Sequence, residues 1–237
     1  MGFGVMKTVD ATIGLAEKVR DYMLLKHTNY KVKQYAALSK GEKQSLDVYW
    51  EDNYVETQAM SWGAGTVWNE IQYLFANAEG KILDMACGPA PTMEIIEATN
   101  KKIQAYGCDI SDRLVDQAIE RGVSKDRIIV EDATNMSYED NYFDYSFSIG
   151  SLEHFTEDGI DAFIEEAHRV TKLGSYHQVP TLMDGRVSGW VNLQQSFYNM
   201  PISWWEEKFK RKYPNVKTLN SSWSDVLSNG TWLICHK

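Results

Sequence analysis

From Lys81 onward the sequence alternates between strand-like runs and helical segments. Strands are predicted at Lys81–Met85, Ile103–Cys108, Arg127–Val130, Phe143–Ser148 and Ser175–Val179. Helices are predicted between them, near residues 91–98, 112–121 and 158–171. This rhythm is typical of a parallel sheet whose strands are joined by crossover helices. We therefore expect an α/β fold built on a Rossmann-like, doubly wound, mostly parallel sheet.

The C-terminal part departs from this rhythm. Val216–Asn220 and Thr231–His236 are strand-like, and a turn is predicted at Asn229–Gly230 between them. Two strands that follow each other this closely are expected to pair as an antiparallel hairpin. The hairpin would bring the sheet to seven strands.

The N-terminal part is predicted to be mainly helical between residues 10 and 78, because apolar residues recur there at helical spacing. An aromatic stretch within it includes Tyr49, Trp50, Tyr54, Trp62 and Trp68. These rings could form a mobile cap over a ligand or pack the helices on the core, since aromatic side chains serve both purposes. We expect residues 1–78 to form a helical cap and residues 79–237 to form the main domain, with an insertion at 182–213.

The composition argues against several kinds of partner. The 24 basic and 33 acidic residues give a net charge of -9, which opposes the phosphate contacts that dominate nucleic-acid affinity. No apolar window approaches the roughly 18–20 residues of a membrane span, and the start of the chain lacks a secretory signal. Cys87, Cys108 and Cys235 are too few and too scattered for a disulfide framework or a CxxC zinc site. We expect a cytoplasmic protein with reduced thiols and no metal, which binds neither nucleic acid nor membrane.

A loop of small residues follows the first predicted strand, at Asp84–Ala90. In doubly wound sheets, ligands bind at the carboxyl ends of the strands, and small residues in this loop let the backbone approach them. Asp109 ends the second strand about 20 residues later, where an acid typically holds ribose hydroxyls. Asp132 ends the third strand and could accept a hydrogen bond from an adenine amino group. Three strand ends thus indicate one adenosine-like ligand, although each carboxylate could also anchor its loop through backbone amides.

With these motifs the chain resembles the class I SAM-dependent methyltransferases, in particular the small-molecule group that includes ubiquinone-biosynthesis-type enzymes. The first motif of that family is an acid followed by alternating glycines. The resemblance places Asp84, Ala86, Gly88 and Ala90 at these positions, with Asp109 as the ribose-binding acid and Ile110 beside it, and Asp132–Ala133 as the adenine-binding pair. It implies S-adenosylmethionine as the cofactor.

The resemblance continues through two later segments. Asn141–Ser148 is similar to the fourth strand of the family, and Arg169–Ser175 is similar to its Arg-Val-Leu-Lys-Pro-Gly-Gly turn. The sequence departs from the family where alanines replace two loop glycines, and where Leu173 and Ser175 replace proline and glycine. These changes predict a slightly altered backbone path with the cofactor site retained.

Candidates for contact with the methyl acceptor follow the fourth strand. In similar proteins this segment meets the methionine part of the cofactor and the acceptor, which implies that Ser148 and Ile149 contact the cofactor. Glu153 and His154 are candidates for acceptor contact or proton removal, and His154 is the better base because its ordinary pKa lies near neutrality. His177 lies in the fifth strand, where alternation could aim it either at the pocket or into a neighbouring layer.

The nature of the acceptor is less constrained. Between Trp190 and Trp205 the insertion carries Asn192, Gln194, Gln195, Tyr198 and Asn199, with Arg186 nearby. These groups suit a polar metabolite such as a saccharide or a phosphorylated compound; packing of the aromatics under a lid is the alternative. Ser148–Ser151 does not resemble the Asn- or Asp-Pro-Pro-Tyr signature of enzymes that methylate DNA amino groups. We expect methyl transfer to an oxygen or nitrogen of a small molecule.

Two other functions share the fold. A nicotinamide-dependent oxidoreductase also uses the sheet and the ribose-binding acid, but it normally has the G-x-G-x-x-G spacing that the loop at Asp84–Ala90 lacks. A non-catalytic SAM-binding or partner subunit is the second alternative, since a fold does not guarantee turnover.

Overall fold

A computed structural model describes residues 12–20, 22, 23, 26, 46–61, 66–182, 189–191, 195, 197–224 and 228–237. Helix α1 includes residues 12–20. The other α-helices are α2 (Asp52–Ser61), α3 (Thr66–Leu74), α4 (Pro91–Thr99), α5 (Asp112–Glu120), α6 (Glu157–Val170) and α7 (Ile202–Lys210). Short 3-10 helices lie at Asp47–Trp50 and Leu152–His154. The helical periodicity of the N-terminal part is therefore confirmed where the structure describes it.

The strands are β1 (Gly80–Met85), β2 (Ile103–Asp109), β3 (Ile128–Val130), β4 (Phe143–Ile149), β5 (Thr171–Thr181), β6 (Gly189–Val191), β7 (Phe197–Asn199), β8 (Asn215–Ser224) and β9 (Asn229–His236). Seven of them form one sheet in the order β3-β2-β1-β4-β5-β9-β8. The first five strands of the chain run parallel, and β9 pairs antiparallel with both β5 and β8. The predicted seven-stranded, mostly parallel sheet with an antiparallel C-terminal pair is confirmed.

The sheet is buried on both faces, as is usual for parallel sheets. Alternate residues of β1 belong to different cores: Leu83 packs in the cluster that includes α6 and α7, whereas Ile82 packs in the cluster that includes α3, α4 and α5. Both side chains are fully buried. These two apolar layers hold the sheet rigid and fix the positions of its strand ends.

The strand order reverses at β1, which lies between β2 and β4. The chain therefore leaves β1 in one direction along the sheet, through β2 and β3, and returns to the other side of β1 with β4. The loops that follow β1 and β4 diverge at this point, and a crevice opens between them. In open α/β sheets this is the place where ligands bind.

Two predicted turns are wrong. Asn229 and Gly230 lie inside β9, where Gly230 pairs with Pro180, and a Cβ at Gly230 would come within 2.4 Å of the Gln178 side chain. Glycine is needed there for close strand packing rather than for a turn. The expected turn at Arg169–Ser175 is replaced by the start of β5 at Thr171, since Leu173, unlike the family's proline, keeps its N–H and lets the strand continue.

The insertion contains a small two-stranded sheet, β6 with β7, which the sequence did not predict. Trp190 of β6 packs edge-on against Tyr198 of β7, with ring centroids 5.0 Å apart, and Trp205 of α7 is fully buried. Most of these aromatics therefore pack in the core, which agrees with the alternative that they have a packing role. Arg186, Asn192 and Gln194 lie outside the described residues. In the described part of the chain, no helix has the length and apolar character needed to cross a membrane.

Candidate functional site

The loop after β1 has an alternating left-handed backbone. Ala86, Gly88 and Ala90 have φ values of 54°, 54° and 55°. Glycine adopts this region freely, whereas a residue with a Cβ does so at a cost. The alanines therefore adopt a conformation that suits glycine, and the expectation of a slightly altered backbone path stays a prediction.

Asp84 lies beneath this loop rather than in the wall of the cleft. Its side chain is buried and accepts a hydrogen bond from the hydroxyl of Thr92 at the start of α4. Burial raises the pKa of Asp84 to about 8, although the Thr92 hydroxyl opposes that rise. Asp84 thus links the loop to the helix that follows it, which agrees with the alternative that this carboxylate anchors its loop.

Asp109 joins the ends of β1 and β2. Its Oδ2 accepts a hydrogen bond of 2.8 Å from the N–H of Gly88, and its Oδ1 accepts one of 2.9 Å from the N–H of Ser111. Burial raises the pKa of Asp109, and the N–H groups of Ser111 and Gly88 oppose that rise. A carboxylate oxygen can accept more than one hydrogen bond, so Asp109 can hold both loops and still bind hydroxyl groups.

The end of β3 supplies two further carboxylates. Asp132 uses Oδ1 to accept hydrogen bonds of 2.8 Å from the N–H and from the hydroxyl of Thr134. Glu131 accepts a bond of 2.9 Å from the N–H of Ser137 through Oε1, while its Oε2 is buried and has no hydrogen-bond partner among the described residues. A buried polar atom without a partner is unusual in a folded protein. A ligand that donates an N–H or O–H would satisfy it.

These strand ends open into one cleft with about 940 Å³ of empty space, part of it open to solvent. The part of the lining that comes from the loops after β1, β2 and β3 and from α5, which we call the loop end, consists of Ala86, Gly88, Asp109, Ile110, Leu114, Glu131, Asp132, Ala133 and Thr134. It combines small and apolar residues with three carboxylates. Such a lining offers flat surfaces for an aromatic base and acceptors for hydroxyl and amino groups.

The rest of the lining, which we call the tyrosine end, includes residues of the loop after β4. It consists of Leu46, Tyr49, Tyr54, Gly150, Ser151, His154, Phe155, Gly159 and Gln195. Nε2 of His154 lies 3.7 Å from Oε1 of Glu153, whose side chain is buried. The amide nitrogen of Gln195 lies 3.0 Å from the hydroxyl oxygen of Tyr49 and 3.3 Å from that of Tyr54.

Two rings of the N-terminal aromatic stretch, those of Tyr49 and Tyr54, line the cleft. The backbone of this stretch is fixed to α5, because the carbonyl of Tyr49 accepts a bond of 2.8 Å from the Ser111 hydroxyl and the carbonyl of Trp50 accepts one of 2.6 Å from Arg113. The role of these rings as a cap over a ligand stays a prediction. Trp62 lies outside the described residues.

Besides Asp84 and Glu153, three further predicted site residues lie outside the lining of the cleft. His177 is fully buried between two hydroxyls, with Nδ1 2.8 Å from Oγ of Ser148 and Nε2 2.5 Å from Oγ of Ser175. Burial lowers the pKa of His177 to about 3. Alternation along β5 thus aims it into the layer of α6 and α7, where it contacts Phe163 and Phe209. Ser148 faces the same layer, and Ile149 packs against the opposite core, so neither is a wall of the cleft.

Other cleft residues were missed or only partly found from the sequence. Neither Glu131 nor Leu114 was predicted, because their contribution depends on the exact end of β3 and on the docking of α5. Gln195 was one of several polar residues in the insertion, and nothing in the sequence distinguished it from the others.

Part of this chain is similar to known methyltransferases. Residues 82–174 match the family described as methyltransferase domain. A demethylmenaquinone methyltransferase of Staphylococcus epidermidis is 35% identical over 97 residues, which is 40% of this chain and 39% of that protein. A tRNA (carboxymethyluridine(34)-5-O)-methyltransferase of Arabidopsis thaliana is 33% identical over 96 residues, 40% of this chain and 22% of that protein. The match thus spans well under half the length of these relatives.

The fold has been seen in solved structures. The 1,6-didemethyltoxoflavin-N1-methyltransferase of Burkholderia thailandensis, with 1,6-didemethyltoxoflavin and S-adenosylhomocysteine bound, superposes with a TM-score of 0.64 at 10% identity, over 84% of this chain and 93% of that one. At this identity the likeness concerns the fold. The match to the methyltransferase domain family covers residues 82–174, which include β2, β3, β4 and most of β1, the strands whose ends build the loop end.

Proposed function

We propose that the chain is a methyltransferase that uses S-adenosylmethionine to methylate an oxygen or nitrogen atom of a small polar molecule. The observation that carries this proposal is that one cleft is lined both by Asp109, which bridges two strand-end loops, and by His154. One end suits the adenosine of the cofactor, and the other has space for an acceptor beside a potential base.

The loop end supplies a suitable set of contacts for the adenosine. Asp109 can accept hydrogen bonds from the two ribose hydroxyls, and the side chains of Ile110, Leu114 and Ala133 can pack on the adenine ring. The unpartnered Oε2 of Glu131 and the carboxylate of Asp132 can accept from donors on the same ligand. The residues present therefore fit the cofactor.

When bound, the cofactor supplies an electrophilic methyl group: the acceptor atom forms a bond to its carbon while the carbon–sulfur bond breaks and leaves its electron pair on sulfur. The contribution of the chain is to orient the acceptor and to remove its proton. His154 is the residue at the tyrosine end that can take this proton. Glu153, 3.7 Å from Nε2 of His154, is in position to orient the imidazole and to stabilise its protonated form.

The proposal is tested by ligand binding to the folded protein. S-adenosylhomocysteine should raise the melting temperature by several degrees at a concentration well above its dissociation constant, because it binds only the native state. NAD at the same concentration should leave the melting temperature unchanged. Equal shifts with the two ligands, or no shift with S-adenosylhomocysteine, would contradict the proposal.

A further inference from the structure

The tyrosine end contains a corner formed by two aromatic rings. The rings of Tyr49 and Tyr54 have centroids 5.6 Å apart and planes at 86° to each other. Both hydroxyl oxygens accept from the one amide of Gln195, which holds the two rings in this arrangement. The faces of tyrosine rings carry partial negative charge and attract cations.

The charges around this corner have the same sign. Asp109, Glu131 and Asp132 line the cleft, and the buried side chain of Glu153 lies next to that of His154. In the parts of the cleft wall that the structure describes, there is no lysine or arginine to balance them. Burial raises the pKa of Tyr49 to about 12, and the nearby charges of Asp109 and Glu153 add to this rise. A carboxylate that acts on Tyr49 in this way also acts on any ligand beside the ring.

These charges discriminate between classes of acceptor. A phosphate or carboxylate group at the tyrosine end would lie among like charges in a partly enclosed cleft, where Coulomb interactions are stronger than in water. A positively charged group would be attracted by the carboxylates and by the faces of both rings. The phosphorylated acceptor expected from the insertion is therefore disfavoured by the described lining.

On the basis of the proposed function, we infer that the methyl acceptor is a small amine, which the tyrosine end binds as an ammonium ion against the rings of Tyr49 and Tyr54. The ammonium group transfers one proton to the imidazole of His154 and becomes a neutral amine. Its nitrogen lone pair then forms the bond to the methyl carbon, the electrons of the carbon–sulfur bond remain on sulfur, and the product is the N-methylated ammonium ion. Glu153 balances the charge of the imidazolium.

This inference is tested with three probes of similar size and different charge. The protein saturated with S-adenosylhomocysteine is titrated with tetramethylammonium, tert-butanol and pivalate, and each dissociation constant is measured by calorimetry. Tetramethylammonium should bind at least tenfold more tightly than tert-butanol, and pivalate should not bind. The inference is overturned if tetramethylammonium does not bind, or if either of the other probes binds as tightly.

Variants locate the site of binding. Glu153→Gln keeps the shape of the side chain and removes its charge, so affinity for tetramethylammonium should fall about tenfold or more while the affinity for S-adenosylhomocysteine is retained. Glu165→Gln, a change of the same kind on the exposed side of α6, should have no effect. Tyr54→Leu should weaken binding of the cation more than Tyr54→Phe does, because only phenylalanine keeps the aromatic ring. Unchanged binding in both Glu153→Gln and Tyr54→Leu would place the cation elsewhere.

The same titrations separate the two proposals. Failure of S-adenosylhomocysteine to bind would refute the proposed function. Normal binding of S-adenosylhomocysteine together with a preference for the neutral or anionic probe would refute only the amine acceptor.

Discussion

Gly88 and Asp109, 21 positions apart in the chain, are joined by a hydrogen bond of 2.8 Å from the backbone N–H of Gly88 to Oδ2 of Asp109. This bond closes the loop after β1 onto the end of β2, at the point where the sheet reverses its strand order. The carboxylate that lines the loop end is therefore also the group that fixes the loop. The proposed recognition of the cofactor and the local stability of the loop therefore depend on the same side chain.

Replacement of Asp109 tests this dual role. We expect Asp109→Ala to weaken binding of S-adenosylhomocysteine about 10- to 100-fold, because a hydrogen bond to a charged group contributes about 1.5–3 kcal/mol. The free energy of unfolding of the unliganded protein should fall as well, since the N–H groups of Gly88 and Ser111 lose their acceptor. Calorimetry and urea denaturation measure the two effects. Asp126→Ala, which removes an exposed carboxylate, is the control, and an equal effect of the two variants would contradict the assignment.

The left-handed alanines of the loop predict an unusual response to glycine. A residue with a Cβ loses about 1–2 kcal/mol in this conformation, whereas glycine loses about 0.5–1 kcal/mol through the greater freedom of the unfolded chain. Ala86→Gly should therefore leave the free energy of unfolding unchanged or raise it slightly. Ala162→Gly, in the right-handed helix α6, should lower it by about 1 kcal/mol. Urea denaturation of both variants would refute the interpretation if Ala86→Gly lost as much stability as Ala162→Gly.

The main elements of this fold could be predicted from local sequence. The predicted strand at Ile103–Cys108 differs by one residue from β2, and the predicted helix near 158–171 differs by one residue at each end from α6. Strand ends of a parallel sheet share one edge, so the meeting of Asp109 and Asp132 at one cleft also followed from their positions in the chain. These features could be predicted because they depend on the periodicity of apolar residues and on the order of the strands and helices along the chain.

Features that depend on distant packing could not be predicted in the same way. The tyrosine end is closed by contacts such as that between Trp50 and Arg113, which are 63 positions apart and have no local pattern. Alternation fixed which residues of β5 share a face with His177, but not which face meets the cleft. The alanines of the loop were recognised as departures from glycine, although the backbone they adopt could be known only from its dihedral angles.

The buried His177 predicts a dependence of stability on pH. Its pKa is lowered to about 3 in the folded protein by burial, whereas an unfolded histidine titrates near 6.5. Below pH 6.5 the unfolded chain binds the additional proton, so the stability that the neutral imidazole contributes is present above this pH and is lost as the pH falls towards 3. Wild type should lose up to about 1.4 kcal/mol more per pH unit than His177→Gln between pH 6 and 4. Urea denaturation at each pH measures both slopes, and identical slopes would show that His177 is not held neutral.

Replacement of His154 tests whether this residue removes a proton from the acceptor. We expect His154→Gln to leave the dissociation constant of S-adenosylhomocysteine within about threefold of the wild-type value, because His154 lines the tyrosine end and not the loop end. The rate of methyl transfer to an amine acceptor should fall about 10²- to 10⁴-fold, the usual contribution of a positioned general base, and added imidazole should restore part of it. His168→Gln makes the same change in α6, where His168 contacts Tyr213 outside the cleft, and its rate should stay near that of wild type. If the two variants transferred methyl groups at the same rate, proton removal would have to be assigned to another group or to solvent.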